Sequence, residues 1–181
     1  MHLFVPFDGS DLARIALADA CRTLTPLDHI TVMAAVIVPA SLEIGVPAGE
    51  IWKQICRAEI HLADARAYAE RIAHFGDGVR YVRVQARTPV AAIIAGAAHY
   101  EADTIVLARR GGMRGALASL FGPLPTIVRQ APCTVRVLYG VAPSGDGTIG
   151  RQIATERQPT SANERRGIVH HYGGTTSYVS E

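Results

Sequence analysis

Five short apolar runs alternate with four amphipathic segments along this chain, and that alternation leaves few folds open. The runs are His2–Phe7, Ile30–Val38, Val79–Val84, Thr104–Ala108 and Cys133–Leu138. The second is apolar almost throughout, the pattern of a parallel strand covered on both faces. Between the runs, apolar residues return every three or four positions, as on one face of a helix. Leu12, Ala16, Ala20 and Leu24 mark the first helix, with Ser10 as its N-cap candidate. Ile51, Ile55, Ala58, Leu62, Ala65, Ala69 and Ile72 mark the second. Thr88-Pro89 opens a third that runs through Ala98, with proline suited to a first helical position, and Leu124–Gln130 forms a fourth.

Strand–helix alternation predicts an open parallel sheet with helices on both faces, because each crossover must run right-handed across the sheet. In such doubly wound α/β folds, ligands sit beyond the carboxyl ends of the strands where strand order reverses. The turns after the first, second and fourth strands are therefore the places to look. Asp8, Val36 and a loop beginning near Arg109 lie there. That loop, Ala108-Arg109-Arg110-Gly111-Gly112-Met113-Arg114-Gly115, followed by Gly122-Pro123, joins a strand to a helix as phosphate-binding loops do.

The chain has 181 residues, of which 49% are hydrophobic, enough for one domain with a core and a remainder. The net charge is +2 and the basic residues are scattered, so nothing calls for nucleic acid or an anionic membrane as partner. The apolar runs Val32–Val38 and Val90–Ala98 are too short to span a bilayer, and no signal peptide is evident at the start. Cys21, Cys56 and Cys133 are far apart with no C-x-x-C pair, as expected of reduced thiols in a cytoplasmic protein. From about Gly140 onward, Gly, Ser, Thr, Arg and Pro dominate. Residues 140–181 are expected to be a polar, disordered tail, although Ile168, Val169, Tyr172 and Tyr178 leave room for a terminal strand.

Several chemistries are excluded or unsupported. There is no G-x-x-x-x-G-K-[S/T] segment and no G-x-G-x-x-G after the first strand, which argues against P-loop hydrolases and dinucleotide dehydrogenases. A receiver domain needs an acidic residue ending the third strand, where this chain has Val84-Gln85-Ala86. The histidines (2, 29, 61, 74, 99, 170 and 171) show no metal-ligand spacing, and Ser10 lies in a turn rather than a nucleophile elbow. No catalytic residue is assigned.

Val5-Pro6-Phe7-Asp8-Gly9-Ser10, Ala102-Asp103-Thr104-Ile105-Val106-Leu107 and Gln130-Ala131-Pro132-Cys133-Thr134-Val135-Arg136-Val137-Leu138, in that order, resemble a universal stress protein domain over residues 1–139. The resemblance implies a Rossmann-like, adenine-nucleotide-hydrolase-like three-layer α/β sandwich of five parallel strands in the order 3-2-1-4-5. It also implies a homodimer through the fifth strand, where Val135 and Val137 lie, and a site for an adenine nucleotide, ATP or AMP with magnesium. The candidate site residues are Pro6, Asp8, Val36, Ala108, Arg109, Arg110, Gly112, Arg114 and Gly122, the arginines being read from the loop itself. Asp8 matches an acidic residue beside the adenine or ribose, and serves equally well as a turn carboxylate. Val36 matches a position whose backbone meets the base, and is equally a core residue.

The ATP-binding branch of that family carries G-x-x-G, nine residues, then G-[S/T]. Aligning on Gly122 places the second glycine at Gly112, with Met113–Phe121 filling the interval, but the first glycine falls on Arg109 and the final hydroxyl residue on Pro123. Arginine loses the close backbone approach that glycine allows. Pro123 and Pro125, at the first and third positions of the helix, remove two N–H donors where an anion would bind. Each lost charge-assisted bond costs about 1.5–3 kcal/mol, so the pair weakens a triphosphate by roughly a hundredfold or more. Arg109, Arg110 and Arg114 are either solvated loop residues or replacement donors. The first reading is therefore a stress-response regulatory or interaction module with weakened or absent ATP binding. The alternative is an ATP- or AMP-binding protein in which these arginines stand in.

Overall fold

The computed structural model describes residues 1–38, 48–72, 78–110, 123–140, 152–154, 168–172 and 175–179. Their order is β1 (His2–Pro6), α1 (Asp11–Thr23), β2 (His29–Ile37), α2 (Ala48–Ile72), β3 (Val79–Ala86), α3 (Pro89–His99), β4 (Thr104–Arg110), α4 (Leu124–Gln130), β5 (Thr134–Gly140), β6 (Gln152–Ala154), β7 (Ile168–Tyr172) and β8 (Thr175–Val179). The first five strands pair in parallel in the order 3-2-1-4-5, the expected doubly wound sheet.

Alternation along each strand divides the core into two layers. Leu3, Val5, Ile30, Val32, Ala34, Val36, Val106 and Leu138 face α1 and α2, where they meet Leu17, Ala58, Leu62 and Ala65. Phe4, Met33, Val82, Val84, Ile105, Val135 and Val137 face α3 and α4, against Ala92, Ile93, Ala97 and Ile127. Small residues let the helices approach closely. At Gly96 of α3 an added Cβ would sit 2.7 Å from Phe4 Cζ and 3.1 Å from Val84 Cγ2. Val135 and Val137 are thus core side chains, 2% and 4% exposed. Any partner at β5 would meet its backbone edge rather than these two side chains.

Three strands outrun their expected ends, the third reaching Ala86 and the fifth Gly140. The fourth continues from Ala108 through Arg110, pairing Arg109 with Tyr139 and Arg110 with Gly140. Arg109 and Arg110 are therefore strand residues, because the β5 ladder satisfies their backbone groups whatever their side chains carry.

Three short strands lie in the polar stretch after Gly140. β6 pairs antiparallel with β5, β8 pairs parallel with β3, and β7 pairs antiparallel with β8. The physical reason is that β3 and β5 would otherwise offer open edges whose N–H and C=O groups attract any available strand. Ile168, Val169, Tyr172 and Tyr178 are residue types that favour this conformation.

Candidate nucleotide site

The central strand is the short one. β1 pairs with β2 from His2↔His29 to Pro6↔Met33, after which β2 continues to Ile37. On the other side β1 pairs Leu3↔Thr104 and Phe4↔Ile105, and β4 continues to Arg110. At about 3.3 Å per residue, β2 extends roughly 13 Å beyond the end of β1. The result is a notch at the carboxyl edge of the sheet, with β2 and β4 as its walls and the β1–α1 turn as its floor. Strand order reverses there, since the chain leaves β1 toward β2 and later returns on the far side as β4. The sequence pattern located the end of the sheet but not this step, which depends on register.

The floor is built by a compact turn. Phe7 N–H donates to the Met33 carbonyl at 2.7 Å, prolonging contact with β2 by one residue. Gly9 then turns the chain at φ +78°, a conformation glycine adopts without strain. Asp8 is exposed, and its Oδ1 accepts from Ser10 N–H at 3.0 Å. Ser10 Oγ in turn caps α1 by accepting from Ala13 N–H at 3.2 Å. One carboxylate oxygen of Asp8 is thus committed to the turn, as its local chemistry suggests, while the exposed carboxylate still faces solvent. A Cβ at Gly9 would fall 2.7 Å from Nδ1 of His61 on α2. His61 therefore packs on the turn, a contact between distant segments that no local motif signals.

Among the walls, Val36 is 3% exposed and its side chain belongs to the α1–α2 core layer. Ala108 packs against the same layer. Arg109 turns to the other face, where its guanidinium carbon lies 4.7 Å from the centre of the Tyr139 ring. Its Nε is buried and has no hydrogen-bond partner among the described residues. The guanidinium is thus laid on an aromatic face by its strand register. Arg14, on the first turn of α1, is likewise engaged, 3.0 Å from Asp64 and 3.4 Å from Asp11. Arg110 is placed at the end of β4. Gly112, Arg114 and Gly122 lie outside the described residues.

At the start of α4 the two prolines are placed one position earlier than expected. Pro123 is the N-cap residue, with φ −67° and ψ −23°, and has no side-chain capping bond. Its carbonyl accepts from Ile127 N–H at 3.0 Å, and Pro125 is the second helical residue. Of the four backbone nitrogens from Pro123 to Thr126, only those of Leu124 and Thr126 carry a hydrogen. The difference from the expected positions does not change the consequence. A phosphate approaching this turn meets two donors where four would be ordinary.

The notch therefore has Pro6 and the exposed Asp8 carboxylate at its floor and the end of β2 along one wall. The first turn of α4 is short of N–H donors, and the Arg109 guanidinium stacks on Tyr139. Among the described residues, no group of three or more His, Cys, Asp or Glu side chains is arranged to hold a metal ion.

Residues 1–139 match the sequence profile of the universal stress protein family. No curated protein matches the chain in sequence. Among solved structures, it is similar to a universal stress protein in complex with cAMP (19% identity, TM-score 0.56, covering 76% of this chain and 95% of that one). It is also similar to the universal stress protein UspA from Lactobacillus plantarum (20%, 0.56, 76% and 96%) and to the protein MJ0577 (16%, 0.57, 76% and 94%). At these identities the likeness shows a common fold.

Proposed function

The chain belongs to the universal stress protein family, and from that premise we propose that it is a cytoplasmic stress-response module that acts through protein contacts, with weakened or absent ATP binding. The observation that carries this reading is the pair Pro123 and Pro125 at the start of α4. The Arg109–Tyr139 stack supports it, since it directs the strand's arginine away from a phosphate. The partner we propose first is a second copy of the chain at the outer edge of β5.

A second reading is favoured by the notch itself, which lies where the strand order reverses and carries the exposed Asp8 carboxylate. In that reading the chain binds an adenine nucleotide with one phosphate. A structural neighbour was solved with cAMP, a nucleotide that places a single phosphate near its ribose. Arg110 and Arg114 would then supply the donors that α4 lacks, and magnesium would be dispensable. Denaturing the purified protein and chromatographing the supernatant separates the two readings. Nucleotide released in near-equimolar amount favours the second, and none favours the first.

A further inference from the structure

The two edges of the five-stranded sheet are covered by the same polar stretch of chain. At one edge, β6 pairs with β5 through Val137↔Ala154, Leu138↔Ile153 and Tyr139↔Gln152. At the other, β8 pairs with β3 through Val82↔Thr176 to Gln85↔Val179. The covers are unequal. β5 forms seven pairs with β4 on its inner side but three with β6 on its outer side, so Thr134, Val135, Arg136 and Gly140 have no strand partner there among the described residues.

We infer that 152–154 is a detachable cover of the β5 edge, one that competes within the chain against the addition of a β5 strand from a second copy. The inference rests on the self-association reading above. Three features carry it. The cover is antiparallel in a sheet whose core is parallel, so the β5 edge demonstrably accepts an antiparallel strand. Antiparallel pairing of β5 with its own copy would be isologous, closing a two-fold dimer without exposing a further edge. Finally, β6 follows β5 after only the connection 141–151, so its effective concentration at the edge is of the order of millimolar. A cover of three pairs with that advantage keeps the edge closed at micromolar protein, yet yields to a partner strand that pairs along all seven residues.

The test uses the full chain. In an antiparallel ladder, opposed pairs alternate between hydrogen-bonded and non-hydrogen-bonded, so either Ile153 or the pair Gln152 and Ala154 supplies the ladder N–H groups. Proline removes them. Two variants, Ile153→Pro and Gln152→Pro with Ala154→Pro, therefore between them must break the cover. Light scattering at 10 to about 100 µM, a range set around usual self-association constants, reads the mass. Amide exchange at Val137, Leu138 and Tyr139 reads the edge. The expected result is a monomer for the parent chain and a dimer for at least one variant. Dimers throughout would overturn the cover and leave self-association standing. Monomers throughout, with edge amides newly exchanging in a variant, would overturn both. A parent dimer made monomeric by the prolines would also overturn the inference, since β6 would then be part of the interface.

Discussion

Arg109 and Tyr139 are opposed across the β4–β5 ladder, and the guanidinium carbon of the first lies 4.7 Å above the ring of the second. At the position where the motif aligned above calls for a glycine, this chain has a side chain occupied by its neighbour. A stack of this kind contributes about 0.5–2 kcal/mol, more when water is excluded from it. A double-mutant cycle of Arg109→Ala and Tyr139→Ala is expected to give a coupling energy in that range. Zero coupling in urea denaturation would show that the guanidinium is solvated and available to a phosphate.

Gly96→Ala tests the packing of α3 on the sheet. The new methyl would lie 2.7 Å from Phe4 Cζ, and Phe4 is fully buried, so its ring has nowhere to go. Overpacking costs about 1–3 kcal/mol, while alanine's better helix propensity returns close to 1 kcal/mol. The expected outcome is a net loss of about 1 kcal/mol and a Tm lower by several degrees. A rise in Tm would mean that α3 stands off the sheet.

The N-terminus contributes a pH-dependent clamp. The Met1 ammonium lies 2.6 Å from Asp28 Oδ1, and Asp28 Oδ2 accepts from the Thr25 N–H and hydroxyl. The ammonium first, and then the Thr25 bonds, hold the Asp28 carboxyl down at about 2 against an ordinary value of 3.8. Because its folded pKa is depressed, its contribution is complete above about 4 and is lost as pH falls through about 2. The ammonium is shifted the other way, upward from 8.0, chiefly by its bond to Asp28. Its contribution is complete below 8 and is lost above that. Asp28→Asn should flatten both limbs of the stability profile. An unchanged profile would mean that the clamp is idle in solution.

The three thiols should separate by reactivity. Cys21 and Cys133 are buried, and desolvation pushes both thiols up to about 11, while Cys56 on α2 is half-exposed. Thiolate is the reacting form, so the native protein should release one equivalent of chromophore quickly with an aromatic disulfide reagent and two more only on unfolding. Three equal rates would contradict the packing of α1 and β5.

The core was legible because strands covered on both faces are nearly all apolar, as Ile30–Ile37 is apart from Thr31, and because Ala58, Leu62, Ala65 and Ala69 mark the buried stripe of α2. Charge misled at Arg109 and Arg110. Their side chains read as loop, yet their backbone belongs to a ladder set by the partner strand. Tyr139 was missed for a related reason, since its role appears only when β5 is registered against β4. The contact of His61 with Gly9 joins residues fifty-two positions apart on different elements, and nothing local encodes it. Of the edge strands, β7 and β8 were hinted at by Ile168, Val169, Tyr172 and Tyr178, whereas their pairing partners and β6 depend on the open ladders of β3 and β5.

Titration calorimetry of the full chain with ATP, ADP and AMP, each with magnesium, addresses the phosphate end of the notch directly, especially beside the variant Pro123→Ser with Pro125→Ala. That variant restores two N–H groups and one hydroxyl at the start of α4, a gain of roughly a hundredfold or more in triphosphate affinity. The parent chain is expected to show no ATP binding at micromolar concentrations, and the variant to acquire it. Micromolar ATP binding by the parent, unchanged in the variant, would contradict the account.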